Sequence, residues 1–272
     1  MALFRFLPSP PLSAYVESFC FSEGEVTLHT KERRLPDGQV ALVINLGHEV
    51  IRVSSQEQAD QFQSFHGGVL SGAHSQFTVL DPTTLVTTIY VGFKPGGARP
   101  FLPLPAKELA NQVVDLSSLF GTAADALREQ LQAAQTNEDR VCILERFLLA
   151  RVAWEQAPPS AVTFALASFQ VGHRRPSVSE VTAQLSLSPK RFIHLFEEAV
   201  GLTPKVFCRL LRFQEVLRLT VNGQPICWAD LALSCGYFDQ AHFIHDFQAF
   251  SGLTPQAYLA QRSPHRNHVP LP

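Results

Sequence analysis

The sequence predicts an α+β protein. An N-terminal β-rich domain of the barrel or cupin-like kind, with a helical subdomain, precedes a C-terminal all-α domain built as a double helix-turn-helix. Three observations support this prediction. Short runs rich in Val, Ile and Thr fill the first 93 residues, apolar residues at helical spacing follow them, and a thirteen-residue pattern occurs twice near the C-terminus. Strands that precede a run of helices are typical of the α+β class.

The β-rich part has its clearest strand patterns between residues 14 and 93. Turn residues such as Pro36-Asp37-Gly38 and Gly67-Gly68 separate these patterns. Several short strands at such spacing indicate a sandwich or small barrel. The predicted strands are VALVINLG (40–47), VIRVSS (50–55), FTVL (77–80) and TTLVTTIYVGF (83–93).

The pattern becomes helical after Lys94-Pro95-Gly96-Gly97. Apolar residues then recur at intervals of three and four, as in an amphipathic helix. The stretch 156–160 contains two adjacent prolines and is predicted to be a linker. The helices predicted before it cover residues 106–114, 122–135 and 137–154.

Helix caps mark the first copy of the repeated unit. Ser177 and Glu180 have the spacing of a capping box at the start of a short helix. Ser188 with Pro189 is a typical start for the second helix, and Gly201 stands where that helix ends. A third helix, beginning at Thr203-Pro204 and ending near Asn222-Gly223, connects this copy to the next.

The second copy follows the same plan. A short helix over residues 226–235 ends at Gly236, Asp239 caps the next helix, and Gly252 ends it. Thr254-Pro255 begins a final short helix, and the polar residues after it are predicted to be disordered. The predicted domains are residues 1–104 (β-rich), 105–156 (helical), 160–262 (double helix-turn-helix) and 263–272 (disordered tail).

The repeat itself is FIHLFEEAVGLTP at residues 192–204 and FIHDFQAFSGLTP at residues 243–255. A short helix, a tight turn and a second helix form a helix-turn-helix, whose second helix enters the major groove of DNA. The buried stripe is predicted to contain Phe192, Leu195, Phe196, Phe243 and Phe247.

Outward and N-terminal positions of the two second helices are then free to contact bases. Lys and Arg donate to guanine, Gln pairs with adenine, and Ile or Ala contacts the thymine methyl group. Residues better placed for phosphate oxygens are Ser188, Arg209 and Arg212. The predicted base-reading residues are Lys190, Arg191, Ile193, His194, Gln240, Ala241, His242 and His245.

At these residues the chain resembles the AraC/XylS family of transcriptional regulators. The resemblance covers residues 160–260 and rests on LSLSPKRFIHLFEEAVGLTP, LLRFQEVLRL and CGYFDQAHFIHDFQAFSGLTPQAY. In the first half, LPDG, VALVINLG and YVGFKPGGARPFL look like a sensor-type domain of such regulators. The family likeness implies a β-barrel-like regulatory half, a helical subdomain that often mediates dimerisation, and activation or repression of genes.

Three positions depart from the family pattern. Ser186 replaces the glycine usual at the first turn, and His194 and His245 stand where arginine is frequent. A neutral imidazole contacts phosphate or guanine more weakly than a guanidinium, so we expect modest or pH-dependent DNA affinity.

Composition excludes several other classes. Residues 1–159 carry 12 Lys and Arg against 17 Asp and Glu, and residues 160–272 carry 10 against 7, so only the second part is mildly basic. No stretch approaches the roughly 18 apolar residues that span a bilayer, and the N-terminal segment lacks a signal peptide's uninterrupted apolar centre. We therefore expect a cytoplasmic protein without a membrane partner.

Metal and catalytic patterns are also missing from the sequence. The odd number of cysteines without a CxxC pair indicates reduced thiols (Cys20, Cys142, Cys208, Cys227 and Cys235). Four histidines of the first half show no metal-ligand spacing, so no metal or other cofactor is expected (His29, His48, His66 and His74). No nucleophile elbow, P-loop or dinucleotide-binding pattern occurs, so we expect no enzymatic activity.

Three hypotheses for the whole chain remain open. The β half binds a small-molecule effector, or it only dimerises or docks a protein partner, or the chain is a barrel enzyme fused to a DNA-binding module. The expected partners are double-stranded DNA, an effector, RNA polymerase if the protein is an activator, and a second copy in a homodimer. A set of aromatic residues could line an effector pocket, although plain core is the more frequent role of such residues (Phe62, Phe65, Phe77, Tyr90 and Phe93).

Overall fold

The computed structural model describes residues 2–24, 31–56, 61–170, 176–220 and 226–271. The β-strands are β1 (Ala2–Phe6), β2 (Val16–Glu23), β3 (Glu32–Arg34), β4 (Ala41–Asn45), β5 (Ile51–Ser55), β6 (Gln63–Phe65), β7 (Gly68–Ser71), β8 (Thr78–Leu80), β9 (Thr87–Phe93), β10 (Val113–Asp115) and β11 (His268–Pro270). The α-helices are α1 (Leu116–Phe120), α2 (Thr122–Ala133), α3 (Asn137–Leu149), α4 (Ser160–Gln170), α5 (Val178–Ala183), α6 (Pro189–Val200), α7 (Pro204–Leu219), α8 (Trp228–Ser234), α9 (Gln240–Ser251) and α10 (Pro255–Gln261).

Two antiparallel sheets form the N-terminal domain. One has the strand order β1-β2-β9-β4-β7-β10 and the other has the order β11-β3-β8-β5-β6. The chain from α1 to α10 is otherwise helical, so the predicted α+β class, with a β-rich N-terminal part before an all-helical double unit, is confirmed. The predicted end of the third helix at Asn222-Gly223 lies outside the described residues, and α7 is described as far as Leu219.

The prediction of a helix over residues 106–114 is wrong. A short 3₁₀ turn covers Ala106–Leu109, and Val113–Asp115 is strand β10, paired antiparallel with β7. Asn111 between them has a φ of 57°, in the left-handed region that no α-helix continues through. The sheet therefore extends beyond the predicted domain boundary at residue 104, because β-branched Val113 and Val114 pair with a strand distant in sequence.

The prediction of a disordered tail at residues 263–272 is also wrong for the described residues. His268–Pro270 adds strand β11 to the edge of the second sheet, opposite β3. Val269 is fully buried, and the amide of Leu271 donates to the carbonyl of Lys31 at 2.9 Å. Polar composition and prolines hide this strand because its order comes from pairing with a distant edge strand, which local sequence does not encode.

The β domain and the helical domain share one continuous buried cluster. Leu35 and Val40 of the β domain and Phe213 of α7 all belong to it. The turn that follows β3 packs directly on α7: a Cβ added to Gly38 would lie 2.8 Å from Leu210 Cδ2. The side-chain amide Nε2 of Gln214 on α7 also donates to the backbone carbonyl of Pro36 at 2.6 Å. The turn at residues 35–38 is thus a fixed contact between the two domains.

His74, between β7 and β8, occupies the neighbourhood of this turn. Its Nε2 atom is buried and has no hydrogen-bond partner among the described residues. Burial, with the positive charge of Arg34 as a second cause, lowers the pKa of His74 to about 4. A buried neutral imidazole of this kind makes stability depend on pH.

We predict that acid destabilises the protein through His74. Below the ordinary pKa of 6.5 the unfolded imidazole binds a proton that the folded one does not bind until about pH 4, so the free energy of unfolding falls as pH falls through this window. Between pH 7 and pH 4 the wild type should lose about 3 kcal/mol more than His74→Gln. Urea denaturation across this range measures the difference, and equal pH profiles for the two proteins would refute it.

Candidate nucleic-acid interface and effector cavity

Each repeated unit is a short helix (α5 or α8) followed by a longer helix (α6 or α9) that has a capping residue at both ends. The second helices are α6 and α9, and α7 connects the two units. Ser188 Oγ accepts the amide of Arg191 at 3.3 Å, and Asp239 Oδ1 accepts the amide of His242 at 2.7 Å. Glycines with left-handed φ values of 87° and 68° end the helices, at Gly201 and Gly252 respectively. The predicted starts and stops of α6 and α9 are therefore confirmed, and these two helices, which carry the predicted base-reading residues, are called the reading helices below.

Aromatic side chains anchor the inner face of both reading helices. Phe192 and Phe196 on α6 and Phe243 and Phe247 on α9 are fully buried. Leu195, predicted to join this stripe, is only half-buried. Because one face of each helix is fixed in the core, the opposite face and the N-terminal turn are held toward solvent.

The structure leaves nearly all predicted base-reading side chains accessible. His194 is half-buried, with its Nε2 atom 3.4 Å from a carboxylate oxygen of Glu198. Glu198 in turn lies 3.9 Å from Lys107, in the segment between β9 and β10. The exposed candidates are Lys190, Arg191, Ile193, Gln240, Ala241, His242 and His245.

The two arginines of α7 that are predicted to contact phosphate are engaged with a carboxylate inside the protein. Arg209 donates from Nε and Nη2 to both oxygens of Asp246 on α9, at 2.7 to 3.2 Å, and these hydrogen bonds are the main cause that raises the pKa of Arg209. Arg212 Nη2 lies 4.0 Å from the same carboxylate, and its guanidinium stacks over Tyr237. Both arginines therefore tie α7 to α9 rather than point free toward a phosphate.

A sequence signal for this pair exists. Asp246 in the second copy occupies the position of Leu195 in the first, on the inward side of the helix. Its side chain is 3% exposed. A carboxylate at such a position needs a cation, since an unpaired buried charge is costly. The arginines of α7 meet that need.

A second candidate site is a cavity of about 510 Å³ in the β domain, lined by both sheets. Of the aromatic residues predicted to line a pocket, Tyr90 alone lies on this wall. Strand alternation is the reason: on β9, Thr88 and Tyr90 face the cavity, whereas Phe93 faces the opposite side. The remaining four residues do not line the cavity: Phe65 packs behind its lining residues, and the other three belong to the main buried cluster or pack against it (Phe62, Phe77 and Phe93).

Sequence reasoning missed the charged residues of the cavity wall. Arg34 donates from Nη2 to Tyr90 Oη at 3.2 Å and to Asp37 at 3.5 Å. Burial works to lower the pKa of Arg34, but Tyr90 and Asp37 raise it above its usual value. Glu32 and His268, bonded to each other, also line the wall. Alternation in ERRLPDG was the available signal, but only the structure shows which face of β3 is enclosed.

Other site chemistries find no support in the described ranges. Among these residues no group of three His, Cys, Asp or Glu side chains is placed to hold a metal ion, and His29 lies outside them. The five cysteines are free thiols. In the part of the chain that is described, no helix has the length and apolar character needed to cross a bilayer.

Two family models match the chain. Residues 181–261 match a model described as a helix-turn-helix domain, and residues 4–115 match one described as a domain of unknown function (DUF6597). Together with the two capped reading helices, the first match defines a DNA-binding protein. Residues 181–261 are thus a helix-turn-helix domain, and residues 4–115 match a domain family of unknown function.

Several solved structures have a partly similar chain path. An apo form of a ToxT variant from Vibrio cholerae strain SCE256 is 10% identical, with coverage of 89% of this chain and 97% of that chain and a TM-score of 0.49. Wild-type ToxT of the same strain, bound to an unsaturated fatty acid, is 10% identical, with coverage of 89% of this chain and 95% of that chain and a TM-score of 0.48. A probable AraC family transcriptional regulator from Rhodopseudomonas palustris CGA009 is 24% identical, with coverage of 38% of this chain and 96% of that chain and a TM-score of 0.34. A comparison with curated proteins finds no match.

We predict that the main effect of Arg209→Ala is a lower free energy of unfolding, rather than the loss of a DNA contact. The substitution removes the closest cation of buried Asp246 and leaves Arg212 at 4.0 Å, so the free energy of unfolding should fall by about 3 kcal/mol. Lys205→Ala is the control, because Lys205 is an exposed cation on the same helix and its loss should cost less than about 0.5 kcal/mol. Chemical denaturation measures both. If Arg209→Ala is as stable as the wild type and its DNA binding depends less on salt concentration, this prediction is contradicted and Arg209 contacts a phosphate instead.

Proposed function

We propose that the protein is a transcriptional regulator of AraC type, which reads duplex DNA with α6 and α9 placed in two successive segments of the major groove. The observation that carries the proposal is the pair of capped helices, each buried on its aromatic face and exposed at its N-terminal turn. The connecting helix α7 has 16 residues, about 24 Å at 1.5 Å per residue. A rigid spacer of this length suits two reading helices about 34 Å apart, one turn of DNA.

Each exposed side chain has a distinct role in this proposal. Lys190 and Arg191 donate to guanine, and Gln240 pairs with adenine. Ile193 and Ala241 contact thymine methyl groups. His242 and His245 donate hydrogen bonds near the start of α9, and His194 does so on α6 while Glu198 orients its ring. The hydroxyl of Ser188, which caps α6, is placed to donate to a phosphate oxygen.

The β domain contacts both reading helices as well as α7. A Cβ added to Gly201, which ends α6, would lie 3.0 Å from the carbonyl of Ala106. A Cβ added to Gly252, which ends α9, would lie 2.5 Å from the ring of Phe77. The glycines that end the reading helices are therefore also places of close approach to the β domain. A change in the β domain can then alter the relative placement of α6 and α9.

The β domain supplies the regulation in this proposal by binding a small molecule in its cavity. A volume of about 510 Å³ lies within the range of about 300 to 1,000 Å³ that is usual for small-molecule sites. Its wall includes β3, which leads directly into the turn packed on α7. Homodimerisation through the helical subdomain and contact with RNA polymerase stay predictions, as does a non-enzymatic function.

We predict that selection from random duplex DNA by the full-length protein recovers a motif of two parts, with centres about 10 base pairs apart. Gln240→Ala should relax the preference at one base position, because a bidentate contact to adenine contributes about 1 to 3 kcal/mol of discrimination. Gln248→Ala is the matched control: Gln248 has the same side chain, exposed in the last turn of α9. Equal losses on selected and scrambled DNA for Gln240→Ala would contradict its base-reading role, and recovery of no motif would contradict the proposal.

A further inference from the structure

We infer that the cavity binds an amphipathic small molecule with an apolar body and one acidic head group, and that the C-terminal segment, residues 263–270, forms the wall beside that head group. This inference rests on the proposed effector-binding function and gives it a ligand class and a route to the DNA-binding unit. Three features support it: the charged lining residues lie apart from the aliphatic ones, the guanidinium of Arg34 has N–H groups that bond no acceptor among the described residues, and the C-terminal segment lines the cavity.

The apolar and charged parts of the cavity lie on different strands. The first sheet and strands β5 and β8 contribute no charged lining residue: they supply aliphatic side chains, which suit a hydrocarbon body, and hydroxyl groups of Ser22, Ser71, Thr78, Thr88 and Tyr90. Leu3 and Val86 are among the lining residues yet are exposed to solvent, so they mark the mouth. The enclosed aliphatic lining residues are Val43, Ile51, Val53, Val69, Leu80, Leu85 and Val113.

The charged residues converge on the wall formed by β3 and β11. Glu32 and Arg34 alternate inward along β3, whereas Arg33 between them points away and stacks on Phe77. His268 lies directly opposite Arg34 in the strand pairing and also faces the cavity. An amphipathic ligand would therefore direct its polar end at this wall.

The charges on this wall favour an acidic head group. Glu32 is bonded to the imidazole of His268, so a positively charged head would have to compete for that carboxylate. Arg34 uses only Nη2 toward Asp37 and Tyr90, and its other guanidinium N–H groups bond no acceptor in the described part of the chain. Thr88 Oγ1, also on the lining, is buried without a hydrogen-bond partner among the described residues. A carboxylate would satisfy these donors.

The C-terminal segment belongs to the DNA-binding unit by covalent connection. It leaves α10 after Gln261, contributes Ser263, Pro264, His265 and His268 to the cavity lining, and ends in β11. Tyr258 on α10 donates to the carbonyl of Arg266 at 2.8 Å, which holds the segment against the helix. A ligand that presses on His265 or His268 therefore acts directly on the chain that follows the second reading unit.

The test compares decanoate, decanol and decylamine, which share one apolar body and differ in the head group. Calorimetric titration of the full-length protein below the micellar concentration should show one site with decanoate bound at least about tenfold more tightly than the other two, as expected for a charge-assisted hydrogen bond. Arg34→Met should remove this preference while leaving decanol affinity within about threefold. Arg34→Lys should retain part of it.

The C-terminal segment is tested by hydrogen exchange on the same protein. Decanoate should slow exchange of the amides in residues 265–271 and leave those of α3, which lies outside the cavity lining, unchanged. His265→Ala should weaken decanoate several-fold, whereas His48→Ala, at an exposed histidine outside the cavity, should not. Circular dichroism of each variant confirms that it folds.

The outcomes separate the inference from the function on which it rests. If none of the three compounds binds, the amphipathic ligand class is overturned, whereas the effector-binding proposal, which calls only for a small molecule in the cavity, is not. If they bind equally, or decylamine binds most tightly, the cavity stands as a site and the acidic ligand class is overturned. If decanoate is preferred but the C-terminal amides and His265→Ala show no change, the role of the C-terminal segment is overturned.

Discussion

The contact between α7 and the turn at residues 35–38 is the constraint on which the arrangement of the molecule depends. Leu210 packs closely on Gly38, whose φ of 73° also favours glycine, and Gln214 bonds the carbonyl of Pro36. Because α7 also carries Arg209, which holds α9 through Asp246, one helix connects the β domain to both reading units. Interdomain geometry is therefore set by a packed core rather than by a flexible linker.

The DNA-binding part was predicted well from sequence because its determinants are local. Ser188, Asp239 and the glycines that end α6 and α9 act within one turn of the helix they cap, so their residue types report the helix boundaries directly. Once a helix boundary and its apolar stripe are known, the positions on the opposite face are also known, and these are the exposed candidates for base reading. The β-rich class of the first half was equally accessible, since alternation and turn residues are short-range signals.

What the sequence did not reveal depends on contacts between distant segments. Strand β10 exists because Val113 and Val114 pair with β7, and β11 exists because the C-terminal residues pair with β3. The roles of Arg209 and Arg34 were missed because a positively charged side chain looks the same in sequence whether it points to solvent, to a buried carboxylate or into a cavity. Tyr90 and Phe93 differ only in strand phase, and that phase has meaning only once the enclosed face is known.

The position of β11 has a consequence for the order in which the molecule is completed. During synthesis from the N-terminus, the strands of the first domain emerge early, but β3 stays an unpaired edge and the cavity lacks a wall until residues 263–270 have left the ribosome. The two reading units have been synthesised by then. The wall that β11 adds to the cavity is therefore completed only after both helix-turn-helix units have been synthesised.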